Sequence, residues 1–178
     1  GPPAPGPAPL DDPARIAPTA RSRSAAGIPF VSLPACPLMH ATGLAIGALP
    51  AITFGGRVVL LAGRRFDAGE LWDLVERERV TVIAAVVPLI TTWLNSDAPS
   101  AFDLSSLRVI QNGGARLAPE LRRRLRQQLG CTPQEIYGTA EGLINMTRLD
   151  DPDDLLLESS GAPVCDEDEI MVVDDAGN

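Results

Sequence analysis

LRVIQNGGARLAPELRRRLRQQLGCTPQEIYGTAEG, residues 107–142, decides the fold. Residues 107–111 are an apolar run of strand length that stops at Asn112-Gly113-Gly114. A helical pattern follows, in which Pro119 suits a first turn, Leu117, Leu121, Leu125 and Leu129 recur at a four-residue step, and Gly130 supplies a stop. Residues 133–137 form a second strand-length run that breaks at Gly138. Strand, helix and strand within roughly thirty residues make a βαβ unit, whose two strands run parallel.

Working upstream, the same alternation continues. Residues 80–87 are apolar on both faces, as expected of a strand covered by helices on each side. Residues 57–61 follow the Gly55-Gly56 break, and residues 29–33 supply a first strand. Asp67, with Glu70 three positions on, reads as a helix cap, and Leu71, Leu74 and Val75 form that helix's inward stripe. Helices over 41–54 and 88–95 complete the series. With right-handed crossovers the pattern predicts an α/β fold: a flavodoxin-like, doubly wound parallel sheet in three layers. Downstream, residues 168–173 read as one more strand before the turn at 174–178, a short C-terminal β extension.

The expected organisation is a proline-rich tail over 1–27, an α/β subdomain over 28–147, and an acidic segment with the start of a β subdomain over 148–178. Seven prolines and few large apolar residues make the tail an expected disordered segment. A sequence that stops at a turn without a return strand reads as a piece of a larger pattern.

Composition narrows the function classes. The net charge of −8 is concentrated in residues 148–178, where eleven acids face only Arg148 for a local −10. Residues 28–147 hold ten acids and eleven arginines, which is no electrostatic footprint for nucleic acid. The one dense basic run, Arg122, Arg123, Arg124 and Arg126, reads as a solvated helix face. No apolar stretch is long enough to span a membrane, and a cytoplasmic location is expected. Cys36, Cys131 and Cys165 are widely separated and are expected to be reduced thiols, with neither a disulfide framework nor a zinc site. All fifteen basic residues are arginines, so no step within these 178 residues can use a lysine.

Ligands of open α/β sheets bind beyond the carboxyl ends of the strands. Two loops meet that condition: Asn112-Gly113-Gly114-Ala115, and Gly138-Thr139-Ala140-Glu141-Gly142 after Tyr137. Their glycines admit a flat or phosphorylated ligand, and a hydroxyl with a carboxylate two residues on suits a phosphate and its Mg²⁺. The sole histidine, His40, sits where a strand hands over to a helix in Pro37-Leu38-Met39-His40-Ala41-Thr42-Gly43. Having no second histidine, the sequence offers no His-paired metal site.

QEIYGTAEGLINMTRLDDPDDLLLESSGAPVCDEDEIMVVDDAGN, residues 134–178, resembles the segment of aryl-acid AMP ligases that spans a Tyr-Gly-x-x-Glu motif and the Gly-x-Pro after it. These are the 2,3-dihydroxybenzoate- and salicylate-activating enzymes of siderophore assembly. DLSSLRVIQNGGARLAPEL, residues 103–121, resembles the stretch before it, so the likeness covers residues 103–178. The earlier CPLMHATGL, residues 36–44, through residues 55–83 is more similar to fatty-acyl-CoA synthetases of the same superfamily of AMP-forming, acyl- and aryl-acid adenylating enzymes, which includes adenylation domains of peptide synthetases.

The resemblance implies an acyl-adenylating site using ATP and Mg²⁺. Gly113, Gly114 and Ala115 would line the acyl pocket and the adenine face, while Tyr137 and Gly138 flank the nucleotide. Thr139 would touch the α-phosphate, Glu141 would hold Mg²⁺, and His40 would stand at the acyl pocket. Aryl ligases usually carry a His-Asn pair there, whereas this chain has His40-Ala41, which leaves acyl and aryl carboxylates both open. The family's phosphate loop ending in lysine, its ribose-binding aspartate and its lid-domain lysine have no counterpart in these 178 residues. Loss of preorganised charge costs about 10² to 10³ in rate per donor, so the expected outcome is a ligase homologue that binds a carboxylate or acyl-adenylate without adenylating alone. A second reading, from a different class, is a non-catalytic scaffold that meets a partner protein or itself through an exposed face. A third is new chemistry on the old frame, with His40, Glu141 or Cys36 as acid, base or nucleophile.

Overall fold

Strands β1 (Val31–Pro34), β2 (Arg57–Val58), β3 (Val82–Ala85), β4 (Val109–Asn112) and β5 (Thr132–Gly138) lie parallel in the order β2-β1-β3-β4-β5. That is the flavodoxin-like order read from the alternation of the sequence. The computed structural model describes residues 18, 20, 21, 26, 27, 29–63, 67–139, 141–165 and 167–176, and most of the tail expected over 1–27 lies outside them. Beyond β5 the sheet continues antiparallel through β6 (Ile144–Met146) and β7 (Ala162–Pro163), both upstream of the residues expected to form the β extension.

A π-helical stretch, Thr42–Ala48, runs into α1 (Leu49–Thr53) and carries the chain from β1 to β2. Helices α2 (Ala68–Glu78), α3 (Val87–Leu94) and α4 (Pro119–Leu129) carry the next three parallel crossovers. The first crossover steps one way along the sheet and the others step the opposite way, so a common right hand places α1 on one face and the other three on the reverse. Leu33, Ile83 and Ile110 of the central strands are fully buried beneath these helices. Trp72 of α2 and Trp93 of α3 meet edge to face, with ring centroids 5.3 Å apart and planes at 68°. Such a pair adds about 0.5–1.5 kcal/mol beyond the area it buries.

Local chemistry explains the helix ends. The Asp67 carboxylate accepts from the Glu70 amide at 3.0 Å and so caps α2. Glu70 does not complete a reciprocal box; its own carboxylate accepts from Ala62 N at 3.2 Å and pins the preceding loop. Arg79 closes α2 in the left-handed region at φ 53°, held by an ion pair of 2.8 Å to Asp103. α4 begins at Pro119 and stops at Gly130, as the leucine spacing predicts.

Two expectations are corrected. Residues 168–173 form no strand, and Ile170, Met171, Val172 and Val173 are all exposed. A strand exists only through a neighbour, and among the described residues none lies beside this run. The basic run is a solvated face only in part: Arg122 is completely buried and Arg124 bonds the Leu94 carbonyl, while Arg123 and Arg126 stay accessible and pair with acids of the downstream helix α5 (Asp153–Glu158).

Candidate functional site

The loops that follow β1, β3, β4 and β5 all leave the carboxyl edge of the parallel sheet. After β1 the chain turns at Pro37, whose carbonyl accepts from His40 N at 2.9 Å. The imidazole Nδ1 accepts from Thr42 N at 3.1 Å, which leaves Nε2 as the donor of the ring. His40 itself is exposed.

Residues 113–116 leave β4 beside this ring. A Cβ on Gly114 would sit 3.7 Å from His40 Cε1 and 3.9 Å from Val86 Cγ1, at the end of β3. Gly114 also has φ +88°, a conformation few other residues adopt. Gly113 is glycine for a different reason: a Cβ there would lie 2.8 Å from Thr42 Oγ1 and 3.4 Å from Ile46 Cδ1 of the π-helical stretch. The wide winding of that stretch therefore touches the loop at its first residue. Gly113 N is tied back to Ala85 O at 3.2 Å, while Gly114 and Ala115 are exposed.

Tyr137, Gly138, Thr139 and Glu141 stand on the neighbouring strand and the turn that closes it. Asn112 is in register with Glu135, so β5 runs three residues past the point where β4 turns away. At about 3.3 Å per residue the hairpin rises roughly 10 Å above the glycine loop. Thr139 N donates to Leu143 O at 3.1 Å and Gly142 N to Thr139 O at 3.4 Å, a tight turn. All four residues are exposed, with Tyr137 at 52%. The structure thus brings His40 against Gly114, and sets the hairpin on the adjacent strand at the same edge. No hydrogen bond joins the two groups among the described residues.

Glu141 makes no hydrogen bond or ion pair among the described residues, and these contain no cluster of three His, Cys, Asp or Glu that could cage a metal. One exposed hard carboxylate suits Mg²⁺ that arrives on phosphates and keeps most of its waters, rather than a protein-bound ion. The exposed glycine backbone beside His40 suits the face of a flat base. The residues present therefore fit a magnesium nucleotide.

Cys36 does not fit a nucleophile. It is buried with its thiol 3.8 Å from Ala84 O, and burial pushes its pKa up to about 11. Cys131, also buried, is pushed to about 12 for the same reason. A depression of about 540 Å³ lies at the other end of the sheet, lined by Leu94, Asn95, Arg124, Gln128 and Leu129 where α3 and α4 run back to the amino ends of β4 and β5. It contains none of the candidate site residues His40, Gly113, Gly114, Ala115, Tyr137, Gly138, Thr139 or Glu141.

Beneath the glycine loop lies a buried polar group that spacing alone does not reveal. The Glu135 carboxylate accepts from Leu117 N at 3.1 Å and from Asn112 Nδ2 at 3.1 Å, and pairs with Arg122 Nη2 at 3.2 Å. Burial pushes the Glu135 carboxyl above its ordinary range, and the Arg122 guanidinium pulls it part of the way back. The available signal was a charged residue, Glu135, in the middle of a strand-length run between Gln134 and Ile136.

A family model described as AMP-binding enzyme matches residues 19–178. A 2,3-dihydroxybenzoate-AMP ligase of Bacillus subtilis (strain 168) is 42% identical over 146 residues, covering 82% of this chain and 27% of the relative. A salicylyl-CoA synthase / salicylate adenylyltransferase of Streptomyces sp is 45% identical over 150 residues, with 83% and 27% covered. Among solved structures, apo MbtA of Mycobacterium smegmatis superposes with a TM-score of 0.73 at 32% identity, over 90% of this chain and 29% of that one. The chain thus spans about a quarter of the length of the curated relatives it matches.

Proposed function

The chain belongs to the AMP-binding enzyme family, and we propose that it forms one wall of a carboxylate-adenylate site at the carboxyl edge of its sheet. Gly113, Gly114 and Ala115 line the acyl pocket and the adenine face, with His40 opposite Gly114. Tyr137 and Gly138 flank the nucleotide, Thr139 meets the α-phosphate, and Glu141 ligates Mg²⁺, which offsets phosphate charge when bound. The ligand is an acyl or aryl carboxylate or its adenylate; the relatives named for 2,3-dihydroxybenzoate and salicylate favour an aryl acid. His40 offers its Nε2–H to an acceptor on that acid. The observation that carries this reading is the approach of His40 to Gly114 on the edge from which the Tyr137–Gly138 strand end also rises.

The 178 residues hold no lysine, so these residues alone supply no cation to the forming acyl phosphate except arginine, and binding without turnover is expected. The place of action is the cytoplasm, where ATP is found; no helix among the described residues is long and apolar enough to cross a membrane.

Isothermal titration with AMP, ATP-Mg²⁺ and salicylate tests the reading. Measurable binding of a nucleotide that is lost in Gly114→Val supports it, since the new side chain would fill the space against His40. Absence of heat and of any thermal shift with all three ligands overturns it. A second reading, association through an exposed face, draws on Leu44, Leu49 and Ile52, which are 44%, 47% and 64% exposed along the π-helical stretch and α1. Sedimentation of a dilute sample as a monomer, with no concentration dependence, counts against self-association.

A further inference from the structure

Residues 113–116 carry the site's backbone, yet neither strand pairing nor helix prescribes their path. What holds them is a set of side chains on the inner side. Asn112 Nδ2 donates to Ala115 O at 2.6 Å and to Glu135 Oε2 at 3.1 Å. The amide of Leu117 donates to Glu135 at 3.1 Å, and the carbonyl of the same residue accepts from Arg122 Nε at 2.8 Å. Both ends of the loop are thereby fixed to the Glu135 carboxylate, and the Leu117 end also to the Arg122 guanidinium, side chains that are 3% and 0% exposed.

The same guanidinium reaches further. Arg122 Nη1 donates to Ser159 O at 2.6 Å and Leu156 O at 3.3 Å, and Arg116, from within the loop, donates to Glu158 O at 2.7 Å. These carbonyls are the unsatisfied end of α5, where cations are favoured. An ion pair with no access to water is a poor way to gain stability, because an apolar pair of similar volume is often as good or better. The Nη2 contact to Glu135 is also not an aligned hydrogen bond, and Asn112 Oδ1 is buried without a partner among the described residues. Net stability is therefore a weak reason for the group; placement of the loop is a better one.

We propose that Arg122, Glu135 and Asn112 are positioning residues that set the shape of residues 113–116 and lock that loop to the end of α5. They touch no ligand. Their bearing on ligand affinity rests on the adenylate reading given above, whereas their effect on the loop does not.

The test compares the wild type with Arg122→Met/Glu135→Leu, which removes both charges at once, and with Asn112→Ala, which cuts the tie to Ala115 without stranding a charge. Amide exchange is followed at Gly113, whose acceptor is the backbone of Ala85 and survives both changes, and at Ile83 in the sheet centre. Faster exchange at Gly113 by about ten-fold or more with Ile83 unchanged, larger in the double variant than in Asn112→Ala, is expected of local opening. A Gly113 rate within about two-fold of wild type in either folded variant overturns the proposal, as does equal acceleration at Gly113 and Ile83, which reports global loosening. If the double variant does not fold, Asn112→Ala decides by itself. AMP affinity measured on the same samples is expected to fall with Gly113 protection; wild-type protein that binds none of AMP, ATP-Mg²⁺ and salicylate would refute the adenylate reading while leaving the exchange comparison intact.

Discussion

Arg122 lies on the apolar side of α4, completely buried, with Glu135 as its counter-charge. Arg122→Ala strands that carboxylate, and a loss of about 3–5 kcal/mol is expected in urea unfolding, against a much smaller change for the paired apolar replacement. The pH dependence has a definite sign. Burial holds the Glu135 carboxyl above its ordinary value of 4.5 and Arg122 lowers it, so without Arg122 the folded state keeps its proton to still higher pH than the unfolded chain. The loss is therefore largest above the folded value, and the stability gap between wild type and variant narrows as pH falls toward 4.5. A gap that is flat or widens toward acid would contradict the assignment. At Gly113 the constraint is steric, and Gly113→Ala is expected to displace Thr42 and change the amide shifts of both Thr42 and Gly114, as read by NMR. Neither residue's role was legible in the sequence. A buried arginine in an amphipathic helix looks like any other arginine on its polar side, and Gly113 meets Thr42 only through the fold.

Elements with strong internal signals were legible, and those that depend on neighbours were not. α2 and α4 carry their own caps and stripes, so their positions follow from residues such as Asp67, Leu71 and Gly130. Asp67→Ala is expected to cost about 1 kcal/mol, because the Glu70 amide loses its acceptor, with the urea midpoint as the measure. At the other end of α2, hydrogen bonds from Ser105 and Arg79 hold the Asp103 carboxyl down near 2. Its contribution is thus present above the ordinary value of 3.8 and lost as pH falls through about 2, and Asp103→Asn is expected to flatten that part of an acid titration followed by circular dichroism. By contrast α5 contains three consecutive leucines of which only Leu156 is fully buried, and β6 has three residues. Neither shows a period of its own. The expected strand over 168–173 failed for the complementary reason: apolar content was present, but among the described residues no partner lay beside it.

For the whole molecule, the sheet order followed from the alternation of apolar runs and helices, because right-handed crossovers leave few ways to wind it. The site was half legible. Both glycine loops were placed at the carboxyl edge by topology, and His40 and Gly114 meet although the sequence holds them far apart. What spacing could not give was the polar lattice under the loop, since Asn112, Arg122 and Glu135 come from a strand, a helix and the next strand. β5 pairs in parallel with β4 on one side and antiparallel with β6 on the other. The pairings of the sheet close on different scales: Tyr137 of β5 meets Asn145 of β6 across a tight turn, while β1 finds β3 only after the chain has wound through β2 and α2. Short loops form in microseconds and distant pairings wait on chain entropy. During refolding, pulse-labelled amides of β5 and β6 should accordingly gain protection before those of β1, so the strip that bears Tyr137 and Thr139 becomes the template on which the older-numbered half of the sheet is later laid down.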